Sequence, residues 1–251
     1  MEKAHLELDH VTVSFDGFKA LNDLSFHVSS GGVKVLIGPN GSGKSTLLDA
    51  VIGKVHPSAG RILYKGNDIT KVPAHKIAHM GIRRKFQAPG VLSNLSVYEN
   101  LVVAVRESKG VFASMRWGLK TAERDRIEEV LEMIQLSERR DVLAAHLSHG
   151  EKQWLEIGMV ISSAPELLLL DEPTAGMTQQ ESTMTANLIR RLGSMHTVLV
   201  IDHDMSFVEQ LDCSVSVLHM GKLLKEGSME AIRCDPAVVS VYLGRAAVVH
   251  A

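Results

Sequence analysis

No stretch of this chain approaches the roughly eighteen consecutive apolar residues that a bilayer-spanning helix needs. Its opening residues, Met1-Glu2-Lys3-Ala4-His5, lack the apolar core of a secretion signal. Cysteine is nearly missing: Cys213 and Cys234 are the only two, and their separation fits no metal-binding pattern. Such usage suits a reducing compartment. Neither sign of charge dominates, with 27 Lys+Arg against 29 Asp+Glu and a pI near 6.6. That balance gives no global basic footprint of the kind nucleic-acid binders carry, so no direct nucleic-acid partner is expected, although a local patch stays compatible with it. Internal repeats and low-complexity tracts are absent too. What remains is a 251-residue chain, long enough for one large α/β domain, or a core plus a subdomain, without covalent staples. The expectation is a cytosolic protein that meets a membrane only through a partner.

The most informative stretch is Gly38-Pro39-Asn40-Gly41-Ser42-Gly43-Lys44-Ser45-Thr46, a full match to G-x-x-x-x-G-K-[ST]. It follows a β-rich run, Val33 to Ile37, and precedes Leu47 to Ile52, which reads as helix. Strand, glycine loop and helix in that order form a phosphate cradle: the glycines let successive N–H groups turn inward, and the helix start adds its positive dipole end. In such a loop Lys44 reaches the β- and γ-phosphates and the Ser45 hydroxyl ligates Mg²⁺.

Upstream, apolar residues alternate at Leu6, Leu8, Val11 and Val13, and Leu24 to Val28 forms a second extended run beyond Asp16-Gly17. Antiparallel strands are expected there. Phe15 and Phe18 flank that turn, and packing in the core or turn is one reading of them. After the first helix come a turn at Pro57 to Gly60, a strand at Arg61 to Tyr64, a further turn at Lys65 to Asn67, and a short helix following Pro73. From Gln87 to Leu147 the character is helical, with candidates at Val97 to Val105 and Glu123 to Ile134. In the latter, Ile127, Val130, Leu131 and Ile134 share one face. The segment Lys109 to Lys120 reads as a surface loop or short helix, or else as a patch that contacts a partner.

Leu147-Ser148-His149-Gly150-Glu151 opens another helix, with Ser148 and Glu151 spaced as a capping box. Leu167 to Leu170 is unbroken apolar sequence ending in Asp171-Glu172, and Thr197 to Ile201 ends in Asp202-His203-Asp204. Both runs fit strands buried on two faces of a parallel sheet, which puts their polar ends where open α/β sheets bind ligands. A lone histidine at such a point is more often structural. Between them lies a helix with Met184, Leu188 and Leu192 on one side. Val215 to His219 and Lys222 to Lys225 read as a hairpin, and Ala237 to Leu243 as a last short helix.

In this order and spacing the chain resembles the ATP-binding-cassette (ABC) ATPases over essentially its whole length. Gly38 to Thr46 matches the family's Walker A loop, Phe86-Gln87 its Q-loop, Leu147 to Glu151 its signature, Leu167 to Glu172 its Walker B strand, and His203 its switch histidine. The resemblance implies an α/β fold: a P-loop NTPase (RecA-like) core with an antiparallel β subdomain and an α-helical subdomain. It implies one domain over 1–251, with 1–86 and 160–251 as core and β subdomain and about 87–159 as the helical part carrying the signature.

It also implies roles. ATP binds the Walker A residues, with Phe15 stacking on adenine and Phe18 the second choice. Mg²⁺ is held by Ser45, Gln87 and Asp171. Glu172 accepts the attacking water's proton and His203 bonds the γ-phosphate. Ser148, His149, Gly150 and Glu151 address the nucleotide of a second chain. Two departures stand out: His149 and Glu151 replace a glycine and the glutamine of Leu-Ser-Gly-Gly-Gln, and Thr178 ends a loop that usually ends in Asp. His146 and His149 suggest a metal only weakly, since no third ligand is visible.

Ala175-Gly176 and Val241 to Gly244 look like the ATPases of branched-chain amino acid type importers, and Leu147 to Met159 is similar to their urea-importer branch. Such a chain works on the cytoplasmic face of the cell membrane. Its partners are permease subunits, a second ABC ATPase chain and, indirectly, a periplasmic or extracellular solute-binding protein. The competing readings are the ATPase of a lipid or lipopolysaccharide exporter, and a soluble ABC protein acting on nucleic acid or ribosomes.

Overall fold

A strand buried at every position has to be covered on both sides, and two such strands, each with four consecutive apolar residues, organise the molecule. The computed structural model describes residues 4–85, 90–107 and 119–243. Strands β7 (Leu167–Asp171) and β8 (Thr197–Ile201) are buried at all five positions. They lie inside a six-stranded sheet with β3 (Gly32–Ile37), β6 (Ile82–Lys85), β9 (Ser214–His219) and β10 (Lys222–Gly227), in the order β10-β9-β3-β8-β7-β6. All neighbours are parallel except β9 and β10.

Successive side chains of a strand point to opposite faces, so each strand feeds two separate cores. Leu168, Leu170, Val198 and Val200 enter one, and Leu167, Leu169, Leu199 and Ile201 the other. The first core is covered by α3 (Val97–Glu107), α4 (Thr121–Met133), α5 (His149–Ile161) and α6 (Gln179–Gly193). Ile127, Val130, Leu131 and Ile134 are buried there, as their spacing predicts. The second core is covered by α1 (Lys44–Val51) and by an antiparallel sheet of order β2-β1-β4-β5.

That smaller sheet is built on β1 (Ala4–Phe15) and β2 (Phe18–Ser29), joined by Asp16-Gly17, with β4 (Ala59–Tyr64) and β5 (Asn67–Asp68) alongside. Asp16 and Gly17 have φ of 48° and 88°, the two positive values of the hairpin turn that matches strand twist. The break in alternation between Leu8 and Val11 coincides with a register shift at His10, whose φ is 52°. One extra residue there returns Val11 and Val13 to the buried face.

The helices and strands expected from periodicity are present, and four features differ from expectation. Strand β6 was not anticipated as a sheet member. The hairpin β9-β10 belongs to the main sheet, because β9 also pairs with β3. Helices α7 (Met205–Leu211) and α8 (Met229–Cys234) are too short to show a period, yet both are capped, by Asp204 and Ser228. Helix α2 (Ala74–His79) follows Pro73 as expected, and α9 (Pro236–Leu243) closes the described chain. No helix among the described residues is long and apolar enough to cross a membrane.

Away from the carboxyl ends of the strands, two histidines are held neutral. The His5 ring is buried at the start of β1, its Nδ1 lying 2.5 Å from Thr197 Oγ1, and His196 Nδ1 lies 2.6 Å from the Pro165 carbonyl. Burial lowers the pKa of both below the ordinary histidine value of 6.5, aided at His5 by Lys65. The unfolded chain therefore binds these protons more readily. Their stabilising contribution is complete above pH 6.5 and is lost as pH falls through the lowered folded values. Melting temperature measured against pH should decline on the acid side, and less steeply in His5→Asn/His196→Asn. An identical acid slope in both proteins would assign the loss to other groups.

Candidate functional site

The loop after β3 is forced close to its neighbours. A methyl group at Gly38 would lie 2.3 Å from the Leu218 carbonyl oxygen, and one at Gly43 would lie 2.5 Å from that of Ala20. Gly43 also has φ of 109°, so both space and backbone exclude a side chain. Gly43 is the N-cap of α1 and contributes no capping side chain, which leaves the first-turn amides of α1 suited to an external anion. Lys44 is buried and donates from Nζ to the carbonyls of Gly38 (2.7 Å) and Pro39 (3.1 Å). The Ser42 hydroxyl is buried without a partner among the described residues.

The loop forms one wall of a cavity of about 300 Å³. Asn40, Gly41, Gly43, Lys44, Ser45 and Thr46 line it from the loop and α1, Phe15, Phe18 and Ala20 from the first hairpin, and Asp171 and Glu172 from the end of β7. Phe15 and Phe18 face each other across the hairpin turn and are 46% and 67% exposed, so neither packs in the core. They border the cavity as a platform with open faces.

At the end of β7, Asp171 is 2% exposed and accepts from Arg84 Nη2 at 2.7 Å, while Arg84 Nη1 donates to Asp49 Oδ1 of α1 at 2.7 Å. Glu172 adopts a left-handed φ of 46°, and its N–H donates to the Ile201 carbonyl at 2.7 Å. A non-glycine residue there is uncommon and strained, and such strain collects at functional sites. The kink turns the Glu172 side chain from the strand into the cavity. His203 comes from the end of β8, 62% exposed, with Nδ1 3.5 Å from Glu172 Oε1. Its backbone is set by Asp202, whose buried carboxylate accepts from the amides of His203 (2.7 Å) and Asp204 (3.0 Å) and from Thr174 Oγ1 (2.8 Å).

Ser148, His149, Gly150 and Glu151 do not reach this cavity. Ser148 caps α5 in the expected box: Ser148 Oγ accepts from Glu151 N at 3.1 Å, and Glu151 Oε2 accepts from Ser148 N at 2.8 Å. The start of α5 instead abuts the loop after Glu172, where His149 Nε2 lies 2.9 Å from the Ala175 carbonyl. Gln87 and Phe86 lie outside the described residues, as do residues 109–118 of the 109–120 segment.

Sequence gives no role to Arg84 or Lys85, and places Asp202 only among the polar residues at a strand end. Arg84 and Lys85 are consecutive in β6 and therefore point to opposite faces. Arg84 turns to Asp171 and α1. Lys85, 3% exposed, bonds Gln153 and lies 3.2 Å from Glu156, both on α5. Burial raises the pKa of Glu156, and Lys85 acts against that rise. The signal available in sequence was a run of cations inside a short stretch that begins with Gly81-Ile82, which by itself reads as surface.

Oriented amides, a buried lysine and carboxylates at neighbouring strand ends are what phosphate chemistry requires, and the fold defines the class as a P-loop NTPase. A family profile described as ABC transporter matches residues 21–175. The chain is 34% identical to the high-affinity branched-chain amino acid transport ATP-binding protein BraF of Pseudomonas aeruginosa, over 98% of this chain and 100% of that protein. It is 33% identical to LivG of Escherichia coli K12, a protein of the same description, with the same coverage. Among solved structures, the ADP conformation of MJ1267, an ATP-binding cassette of an ABC transporter, superposes with a TM-score of 0.85. It is 31% identical, over 97% of this chain and 99% of that one. The chain belongs to the ABC transporter family. It is an ATP-binding and ATP-hydrolysing subunit of a transporter.

Breaking the buried Lys85–Glu156 contact from one side strands a carboxylate, which costs about 3 to 5 kcal/mol, whereas replacing both partners with apolar groups costs far less. Denaturant unfolding of Lys85→Met, Glu156→Leu and the double variant should therefore show strong non-additivity, with the double variant more stable than Lys85→Met. Additive losses would mean the pair is uncoupled.

Proposed function

We propose that this chain powers a membrane importer of small amino-acid-like or amide solutes by hydrolysing ATP in the cavity between the glycine loop and the ends of β7 and β8. The observation that carries the reading is the convergence of Lys44, Ser45, Asp171, Glu172 and His203 around that one cavity and its rim.

Phosphoryl transfer to water needs charge compensation and a positioned nucleophile more than covalent help. Lys44 exchanges its two loop carbonyls for phosphate oxygens. Phe15, with Phe18 beside it, offers the adenine a ring face. The residues present fit Mg²⁺, since the Ser45 hydroxyl and the buried Asp171 carboxylate line the same cavity; with Gln87 they would hold the ion, which compensates phosphate charge when bound. Glu172 accepts the proton of the attacking water, and His203, at the rim, bonds the γ-phosphate and stays within reach of Glu172.

The start of α5 lies outside the cavity, which favours a sandwich in which Ser148 to Glu151 complete the nucleotide site of a second ABC ATPase chain. Permease subunits anchor the pair at the cytoplasmic face, and a solute-binding protein acts from the far side. Import is favoured over lipid export by the relatives, BraF and LivG, whose descriptions name branched-chain amino acid transport. The run Leu147 to Met159 supports urea or short amides within that group.

Lys44→Ala should weaken ATP binding, whereas Glu172→Gln should keep binding and abolish turnover, so that ATP accumulates on the assembled transporter. Wild-type turnover in Glu172→Gln would remove the general-base role. Phe15→Ala should lower nucleotide affinity by about 1 to 2 kcal/mol, on the scale of a base stacking on an aromatic side chain; an effect confined to Phe18→Ala moves the platform there. For the solute, ATPase activity of the reconstituted transporter should rise with its loaded binding protein, and urea, acetamide and leucine compared side by side identify the class. Stimulation by lipid alone would overturn import.

A further inference from the structure

The departures at His149 and Thr178 fall at one junction, of the start of α5, the loop after Glu172 and the start of α6. Thr178 is the N-cap of α6, and it shares a capping box with Glu181. Glu181 Oε2 accepts from the Thr178 amide and hydroxyl, both at 2.9 Å, and Thr178 Oγ1 accepts from the Glu181 amide at 3.3 Å. Threonine thus does the capping work that an aspartate performs at such a position. The other carboxylate oxygen is turned away from α6 toward the start of α5. Ser148 Oγ donates to Glu181 Oε1 at 3.4 Å. A methyl group at Gly150 would lie 2.3 Å from that oxygen, so only glycine admits the carboxylate there. The Thr178 amide and hydroxyl, then the Ser148 hydroxyl and the Gly150 amide, hold the Glu181 carboxyl below the usual range.

A cap of α6 needs only one of these oxygens. The second makes Glu181 an anion bound in cis on Ser148 and Gly150, the groups offered to phosphate in the arrangement proposed above. Two anions cannot share those donors, because their repulsion at contact distance is unfavourable at any dielectric found in proteins. We propose that Glu181 is a positioning residue of this half-site: it holds Ser148 and Gly150 in the resting chain and is displaced by the phosphate of a nucleotide carried by a second chain. The inference rests on the two-chain reading of α5. Displacement frees the start of α5 from Glu181, whose other oxygen keeps the box on Thr178. His149 still ties the freed end of α5 to Ala175, in the loop that begins at Glu172. Arrival of a nucleotide in trans is thereby felt beside the hydrolytic carboxylate in cis.

The test compares Glu181→Gln and Glu181→Ala in the assembled transporter. Glutamine keeps the capping box but removes the charge; alanine removes both. Displacing a long, exposed hydrogen bond such as this one is worth roughly a five- to tenfold change. Both variants should lower the apparent KM for ATP by about that factor, while ATP affinity of the isolated chain stays within about twofold, since Glu181 does not line the cavity. If Glu181→Gln leaves KM unchanged and Glu181→Ala only lowers the melting temperature, Glu181 is a cap and the proposal fails. Ser148→Arg separates the two levels. Normal turnover in that variant overturns the two-chain reading itself; blocked turnover with an unchanged Glu181→Gln overturns only the role of Glu181.

Discussion

Covering both faces of β7 and β8 is the constraint from which the rest of the molecule follows. Two runs of five buried positions, one in each strand, leave no room for charge before the carboxyl ends, where Asp171 closes the first run. Polar groups refused by the sheet therefore gather there: Asp171 and Glu172 after one strand, Asp202, His203 and Asp204 after the other. Parallel pairing aligns these ends, because crossovers return each strand in the same direction. The glycine loop after β3 joins them for the same reason. A phosphate site of fixed amides opposite fixed carboxylates is thus a by-product of how the sheet is buried, and Glu172 is its most constrained member. Its left-handed backbone is held by the bond to Ile201, so the neighbouring strand sets the direction of the carboxylate.

Strand β6 shows how an edge strand joins parts that the sheet alone would leave separate. Arg84 ties Asp171 to Asp49, so the end of β7 and the helix behind the glycine loop share one cation. Lys85, on the other face, ties the strand to α5. The edge strand is thereby fixed to α5 on one face and to β7 and α1 on the other. Buried ion pairs contribute little net stability compared with apolar packing, but they penalise wrong arrangements heavily. This suits an element that holds three others, β7, α1 and α5, in register.

What the sequence discloses and what it hides divide along the range of the interaction. The glycine loop, the two buried strands, the face of α4 and the capping box at Ser148 are written within about a dozen neighbouring residues, and all are found where expected. The bulge at His10 is visible in retrospect as a slipped alternation. The contacts of Arg84 and Lys85 are not visible, because their partners lie 87 and 68 residues away, and a charged strand segment looks like surface until those partners are known. Helices α7 and α8 escape for another reason: seven and six residues are too few to reveal a period, and only their caps mark them.

The departures at His149 and Thr178 show why motif matching alone misjudges a site. Scored against Leu-Ser-Gly-Gly-Gln and an aspartate-ended loop, both are losses. In three dimensions each makes a bond of its own at the same junction. His149 brings a ring nitrogen to the Ala175 carbonyl, closing the start of α5 onto the loop, and Thr178 keeps the cap of α6 while sharing the Glu181 carboxylate. The junction of α5, the loop and α6 is therefore held by side-chain bonds rather than by the bare glycine backbone of the usual signature. In the two-chain arrangement proposed above, the bonds of His149 and Glu181 are the ones an incoming phosphate has to compete with, so this junction is where the second chain would act.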